Sequence, residues 1–235
     1  MSLKNWDNKT WLSSSSYIKS FNNFLSKQVK LNKNSQILDI GCGRGRILGS
    51  LSSKLSLKRK SIGIDIENHK DRDKRIIFKK IDALKFLKKN KKTFDLILVK
   101  QTIHLFKIKD IKTILKLSKR LLNSNGKIII FTLDPINNEI PTFSIMKKKL
   151  KKALIRDKKI IKSISYSFKG KLVRGFSYKV KISKKKYMEM VNSKYISVLL
   201  GMSHKLISSG LNEIKKKYKK QISFQDKLIC LVLNR

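Results

Sequence analysis

The segment from Ile37 to Ile47 (ILDIGCGRGRI) constrains the fold of this chain more than any other. A short strand-like run leads directly into three glycines at alternate positions, Gly41, Gly43 and Gly45. Glycine lets the backbone turn sharply and come close to a ligand, and a helix that begins there directs its free N–H groups into the same space. The segment therefore predicts a strand, a ligand-binding loop and a helix in direct succession.

Short apolar segments alternate with helical segments after this loop. We predict strands at 36–40, 61–66, 76–79, 94–100 and 127–133, and helices at 44–57, 83–89 and 109–122. Strands and helices that alternate in this way indicate a parallel sheet with right-handed crossovers. The connection 65–75 is short and polar throughout, so we expect its helix to be reduced to a turn or lost.

The flanking segments are predicted to join the same domain. A helical lead-in covers 6–31 and enters its helix at 13–16. A basic helix is predicted from Pro141 to about Ile161, and a pair of strands in 163–180 would turn at Lys169–Gly170 and cover the sheet rather than extend it. Two helical pieces in 184–218 and a closing strand at 222–233 complete the prediction.

Three carboxylates follow three consecutive predicted strands. Asp39 ends the first strand, Asp65 ends the second, and Asp82 follows the third. A carboxylate about twenty residues after the loop can accept hydrogen bonds from both hydroxyls of a ribose, and Asp82 could meet an adenine amino group. Each acid alone could instead be a turn or helix cap. The loop has the spacing G-x-G-x-G rather than the G-x-G-x-x-G of dinucleotide enzymes, and the three acids together favour a nucleoside cofactor.

The same stretch resembles a known family. ILDIGCGRGRI, SIGIDI, KKIDALKF, FDLILVKQTIHLF and LLNSNGKIIIFTLD are similar to the successive motifs of class I S-adenosylmethionine-dependent methyltransferases. The resemblance implies an α/β fold: a Rossmann-like, seven-stranded, mostly parallel sheet with helices on both faces and an antiparallel last strand. The remainder is similar, more loosely, to small-molecule members such as the methyltransferase type 11 and trans-aconitate methyltransferase group.

This resemblance also implies a cofactor, S-adenosylmethionine, and a set of residues that bind it. Asp39, Gly41 and Gly43 would line the methionine part, and Asp65 the ribose. Asp82 and Ala83 would line the adenine, while Lys100 and Gln101 would lie near the sulfonium. The full predicted cofactor-binding set is Asp39, Gly41, Cys42, Gly43, Gly45, Asp65, Ile66, Asp82, Ala83, Lys100 and Gln101.

A single methyltransferase domain is therefore predicted for residues 1–235. We divide it into a lead-in (1–35), a cofactor-binding core (36–134), a small C-terminal cap or substrate region (135–220) and a closing strand (221–235). The expected activity is methyl transfer to a small-molecule acceptor, either a carboxylate or a hydroxyl. The alternatives are an RNA methyltransferase and a non-catalytic module that binds cofactor or RNA.

The acceptor side offers fewer candidate residues. His104, just past the fourth strand, could act as a general base or donate a hydrogen bond to the acceptor, or it could be a packing or helix-entry histidine. Trp11 and Tyr17 in the lead-in and Arg174 in the cap are candidate substrate residues. An arginine in a lysine-dominated chain could pair with a substrate carboxylate.

The formal net charge of +42 raises the question of a polyanionic partner. The basic residues are mostly lysines spread along the chain, which codon bias would also produce. A nucleic acid or an acidic carrier protein is thus a possible but not favoured partner. The stretch Lys100–Ile103 lacks the Asn/Asp-Pro-Pro-aromatic pattern of amine-directed base methylation, and neither cysteine is placed for methylation at cytosine carbon 5.

Bulk properties predict a cytoplasmic protein without a membrane span. No apolar run approaches the length that crosses a bilayer, and the first residues lack a secretory pattern. The two cysteines, Cys42 and Cys230, indicate neither a disulfide framework nor a metal site.

Overall fold

The computed structural model describes residues 10–235 and is built on one seven-stranded sheet. The strands are β1 (Ile37–Ile40), β2 (Ile62–Asp65), β3 (Ile77–Lys80), β4 (Phe94–Lys100), β5 (Leu122–Leu133), β6 (Lys171–Ser183) and β7 (Gln221–Asn234). The helices are α1 (Ser15–Ser26), α2 (Arg46–Lys54), α3 (Ala83–Lys89), α4 (Ile108–Arg120), α5 (Ser144–Phe168), α6 (Lys184–Asn192), α7 (Ser197–Leu200) and α8 (His204–Lys217). Two 3-10 helices cover Trp11–Ser13 and Ile103–Leu105.

The strand order is β3-β2-β1-β4-β5-β7-β6. The first five strands pair in parallel, whereas β7 is antiparallel to both β5 and β6. This arrangement confirms the predicted Rossmann-like sheet with an antiparallel last strand. Since β1, β2 and β4 run in the same direction, their carboxyl ends meet at one edge, where open α/β sheets bind ligands.

Both faces of the sheet are covered, which explains why its central strands are apolar throughout. In β4, Leu96 and Leu98 pack on the face covered by α1 and α2, while Ile97 and Val99 pack on the face covered by α3 and α4. All four side chains have no exposed surface. The two cores hold the carboxyl edge of the sheet in a fixed position.

The predicted pair of strands in 163–180 is wrong. Helix α5 continues to Phe168, and the single strand β6 extends the sheet at its edge instead of covering it. The cause is long-range packing: Ile160, Ile161 and Ile164 lie at helical spacing and are buried in the core on one face of the sheet. Strand β7 is long enough to leave a free edge, which β6 fills along most of its length.

Other departures from the prediction are smaller. The 184–218 region forms three helices, α6, α7 and α8, rather than two. The 66–75 connection has no helix, as expected. The part of the predicted lead-in before residue 10 lies outside the described residues, and α1 begins after Ser14, whose side chain accepts a hydrogen bond from the N–H of Tyr17. Among residues 10–235, no helix has the length and apolarity needed to cross a membrane.

Candidate active site

The glycine loop after β1 is held in a conformation that favours glycine. Gly41, Gly43 and Gly45 all have left-handed backbone angles, with φ of 75°, 55° and 72°. A Cβ atom on Gly41 would lie 2.3 Å from the Thr102 side chain, whereas one on Gly43 would meet nothing within 4 Å. The loop is therefore packed tightly beside β4 and open at Gly43, where a ligand can approach the backbone.

Asp65 fixes this loop from the end of β2. Its Oδ2 accepts a hydrogen bond from the Gly43 N–H at 2.8 Å, and its Oδ1 accepts one from the Glu67 N–H at 2.9 Å. Each carboxylate oxygen has a second acceptor position. Asp65 can thus hold the loop and accept hydrogen bonds from a ribose at the same time.

Asp39 carries a carboxylate in the floor of the site. The residue is buried, and its Oδ1 has no hydrogen-bond partner. Burial raises the pKa of Asp39 from 3.8 to about 7, an increase that Lys100 opposes and Asp65 reinforces. A buried acceptor without a donor is costly, and an ammonium or amide donor of a bound ligand would satisfy it.

Lys100 and Gln101 end β4 beside Asp39. The Lys100 Nζ donates to the Gln101 Oε1 at 2.6 Å and lies 5.3 Å from the centres of the Tyr17 and Phe21 rings. Gln101 has a φ of 50°, a left-handed conformation that costs energy for a residue with a side chain. This strained residue directly follows the end of β4 and lines the cleft.

The side of the cleft predicted to bind adenine is formed by the end of β2, the start of α3 and the 66–75 connection. Ile66 is 60% exposed, and an apolar side chain presented in this way can pack on a flat ring. Asp82 caps α3 by accepting a hydrogen bond from the N–H of Lys85, so its role as a helix cap is realised. Ala83 is buried next to it.

The 66–75 connection has no helix, and a buried arginine, Arg44, holds it in place. The Arg44 side chain is fully buried and donates from Nη1 to Asp71 Oδ2 at 2.6 Å. The Arg44 carbonyl accepts a hydrogen bond from the Asp73 N–H. These contacts fix the 66–75 connection against the glycine loop, where His69 lines the same cleft.

All eleven residues predicted to bind the cofactor line one cleft of about 350 Å³ at the carboxyl edge of the sheet. The residues present fit a nucleoside with an amino-acid chain. They supply an open glycine face at Gly43, a buried carboxylate oxygen without a hydrogen-bond partner at Asp39 Oδ1, and the Asp65 carboxylate at the end of β2. A volume of this size lies within the range of small-molecule and cofactor sites.

His104 lies in a second, smaller cavity of about 60 Å³. Gln101 and Leu105 line both cavities, so the two are adjacent. Burial lowers the pKa of His104; Asp157 opposes this decrease and Arg156 adds to it. The structure thus places the predicted base beside the cofactor cleft rather than inside it.

The three predicted substrate residues do not line either cavity. Trp11 and Tyr17 are buried in the core, while Arg174 is exposed on the edge strand β6. The lead-in still reaches the cleft, because Leu12 and Ser13 line it.

Asp226 on β7 is a buried residue that the sequence analysis missed. Its Oδ2 accepts a hydrogen bond from the Trp11 Nε1–H at 2.9 Å, and burial raises its pKa, although Trp11 and Lys100 oppose this. Alternate residues from Ile222 to Cys230 face the core. The sequence did contain a signal for it, because Asp226 is an acidic residue at one of the alternate positions that are otherwise apolar and face the core.

A family comparison agrees with this geometry. A family model described as a methyltransferase domain matches residues 31–195, which is more than half of the chain. The chain therefore belongs to the methyltransferase domain family. It is a class I methyltransferase, whose methyl donor is S-adenosylmethionine, as the sequence motifs predicted. No curated protein matches the sequence.

Solved structures share the fold at low identity. A protein from Anabaena variabilis, assigned as a methyltransferase of an antibiotic biosynthesis pathway, is 14% identical with a TM-score of 0.65, covering 92% of this chain and 96% of that one. A methyltransferase from Thiobacillus denitrificans, crystallised with S-adenosylhomocysteine, is 13% identical with a TM-score of 0.55, covering 91% and 90%. The plantazolicin methyltransferase is 16% identical with a TM-score of 0.51, covering 98% and 89%. The assignment to the trans-aconitate group stays a prediction.

Proposed function

We propose that this methyltransferase transfers the methyl group of S-adenosylmethionine to a small-molecule acceptor. The observation that carries the proposal is the convergence of the eleven predicted cofactor residues on one cleft next to a smaller cavity with a histidine. The second cavity is small, a size suited to the end of a small molecule. The plantazolicin methyltransferase was crystallised with desmethylPZN analogues, which is consistent with a natural-product acceptor here.

In this proposal different residues of the cofactor-binding core at 36–134 contact different parts of the cofactor along the cleft. Asp39 accepts from the amino group of the methionine part, the open backbone face at Gly43 lets the cofactor come close to the loop, and Asp65 accepts from the ribose. Ile66 and Ala83 pack on the adenine. The bound cofactor supplies an electrophilic methyl carbon, and the protein contributes position and exclusion of water.

The cap region at 135–220 holds the acceptor in the same proposal. The acceptor group is a carboxylate or a hydroxyl, and the second would lose a proton during transfer. We also propose a reducing, cytosolic location, to which two separate free cysteines are suited.

Methyl transfer can be tested with cofactor labelled in the methyl group. Purified protein is incubated with a metabolite extract and, separately, with total RNA, and the label is then located. We expect label in the small-molecule fraction only. Label in RNA would support the RNA methyltransferase alternative suggested by the net charge of +42, and label in neither would support a binding module.

Binding of S-adenosylhomocysteine, measured by calorimetry, tests the ribose contact. Asp65→Ala removes a charged acceptor, so we expect binding about 10- to 100-fold weaker than in the wild type. Asp65→Asn keeps one oxygen for the Gly43 N–H and should lose less. Glu189→Ala, an exposed change on α6, is the matched control. Equal affinity of Asp65→Ala and the control would contradict this assignment.

A further inference from the structure

The smaller cavity lies between the end of the sheet and the cap. Its walls come from the 3-10 helix at Ile103–Leu105, the end of β5, α5 and α7. Leu133, Leu150, Leu154 and Val198 make these walls apolar. With about 60 Å³, the cavity has room for several water-sized groups, and so for the end of a small molecule rather than for a whole aromatic compound.

The polar groups of this cavity are few. His104, Thr132, Asp157, Ser197 and Gln101 line it, and its described lining includes neither a lysine nor an arginine. That composition is unusual in a chain with 57 lysines and arginines. A carboxylate placed here would face the Asp157 carboxylate, and the residues described in the wall offer no cation to balance it, so desolvating it would be costly.

The cavity adjoins the cofactor cleft at the strained residue Gln101. Gln101 and Leu105 line both spaces, and the Gln101 Oε1 is held by Lys100 on the cleft side. A group in the smaller cavity would thus approach the part of the cleft that Lys100 and Gln101 define. The resemblance assigns this part to the sulfonium end of the cofactor.

His104 is held in place by α5. The Arg156 Nη2 donates to the His104 carbonyl at 3.0 Å and to Asp157 Oδ1 at 3.2 Å, which ties the backbone of the 3-10 helix to the Asp157 side chain. The His104 Nδ1 has no hydrogen-bond partner. The charged groups that act on the His104 imidazole are Asp157 and Arg156, both on α5.

We propose that this cavity is the acceptor subsite and that it takes a neutral, hydroxyl-bearing group, with His104 as the proton acceptor. The inference rests on the proposed methyltransferase function and narrows its acceptor from a carboxylate or hydroxyl to a hydroxyl. The hydroxyl oxygen forms a bond to the methyl carbon while the carbon–sulfur bond breaks with its electron pair left on sulfur. The hydroxyl proton passes to a ring nitrogen of His104, and Asp157 is a positioning residue that stabilises the resulting charge.

The products distinguish the two acceptor classes. A methylated carboxylate is an ester and releases labelled methanol in mild alkali, whereas a methylated hydroxyl is an ether and keeps its label. We expect alkali-stable label among the small molecules of the metabolite extract. Label released as methanol would overturn the hydroxyl assignment and leave the methyltransferase function intact.

Imidazole NMR on protein saturated with S-adenosylhomocysteine tests the subsite directly. The chain has three histidines, so His104→Gln identifies the His104 signals. Ethanol and acetate serve as probes because they share a two-carbon skeleton. We expect ethanol to shift the His104 signals in a saturable manner and acetate to leave them within one tenth of that shift; an equal or larger acetate effect, or no effect of either, would overturn the proposal.

Filling the cavity provides the matched control. Ala153→Leu places a larger side chain in the lining of the cavity, while Lys152→Leu introduces the same residue at an exposed position next to it. We expect Ala153→Leu to abolish the ethanol shift and Lys152→Leu to retain it. Val198→Phe fills the same cavity from α7 if Ala153→Leu does not fold. Calorimetry on the same samples separates the outcomes: intact S-adenosylhomocysteine binding without an ethanol response contradicts the subsite alone, and absent binding contradicts the cofactor site.

Discussion

Two regions of this molecule are built in different ways: the cleft at the carboxyl edge of the sheet (the cofactor edge) and the cavity around His104 (the acceptor side). At the cofactor edge the decisive contacts join short motifs to neighbouring backbone, as when Asp65 holds the Gly43 N–H. On the acceptor side they join distant parts of the chain, as when Arg156 reaches the His104 carbonyl, 52 residues away. The first kind of site is therefore determined by local sequence and the second by packing, which leaves the acceptor side free to vary.

We expect the largest loss of stability from one methyl group added to the glycine loop of the cofactor edge. Gly41→Ala places a Cβ 2.3 Å from Thr102 at a φ of 75°, so we expect the free energy of unfolding to fall by about 3 kcal/mol in urea denaturation. Gly43→Ala is the matched control, since its Cβ meets nothing within 4 Å, and strain alone should cost about 1 kcal/mol. Equal losses would show that Thr102 moves aside.

A smaller loss is expected where the lead-in meets the closing strand. Trp11→Phe keeps a ring but removes the Nε1–H donor to the buried Asp226 carboxylate, which should cost about 1–3 kcal/mol of unfolding free energy. Combining it with Asp226→Asn in a double-mutant cycle isolates the pair. Strictly additive losses would show that this long-range contact contributes no coupling energy.

The raised pKa of Asp39 gives the cofactor edge its own pH dependence. The folded protein keeps a proton on Asp39 up to about pH 7, while the unfolded chain loses it near 3.8. The contribution of this group to stability is thus largest at low pH and is lost as the pH rises from about 4 to about 7. Asp39→Asn should flatten the pH dependence of unfolding in this window. A wild type and variant with parallel pH curves would contradict the raised pKa.

Affinity for S-adenosylhomocysteine should change in the opposite direction over the same range. The ionised Asp39 is the better acceptor for the cofactor amino group, so binding should tighten by up to about tenfold per pH unit below pH 7. Calorimetry between pH 6 and 8 measures this effect. Asp39→Asn should bind more weakly with little dependence on pH.

The smallest expected effect concerns the charge balance around His104. Asp157 raises the pKa of His104 against burial and Arg156, so Asp157→Asn should lower that pKa in an imidazole NMR titration. Glu189→Gln, an exposed change on α6, is a control that should leave the signal unchanged. An unchanged or higher pKa in Asp157→Asn would mean that the two residues do not interact.

The sequence was sufficient to predict which residues come together in the cleft at the carboxyl edge of the sheet, because their signals are short. Glycine spacing, strand ends and three carboxylates each lie within a few residues, and the parallel sheet brings them together. It was not sufficient for 163–180, where helical and strand-like patterns overlap and only the burial of Ile160, Ile161 and Ile164 decides for a helix. The sequence analysis also missed Asp226, whose hydrogen-bond partner Trp11 lies 215 residues away. It missed the cavity around His104 because four separate elements form that cavity.

Exposed basic residues lie on both outer strands of the sheet, β3 and β6, and this has a consequence for association between copies of the protein. On the β6 edge Lys171, Arg174, Lys179 and Lys181 are exposed, and on the β3 edge Lys79 and Lys80 are exposed. Strand β6 is also interrupted by an irregularity between Val173 and Phe176. Charged side chains and bulges at a sheet edge oppose strand-to-strand association with another copy. The open edges are thereby protected against aggregation, and neutralising these lysines should shorten the time for which concentrated protein stays in solution.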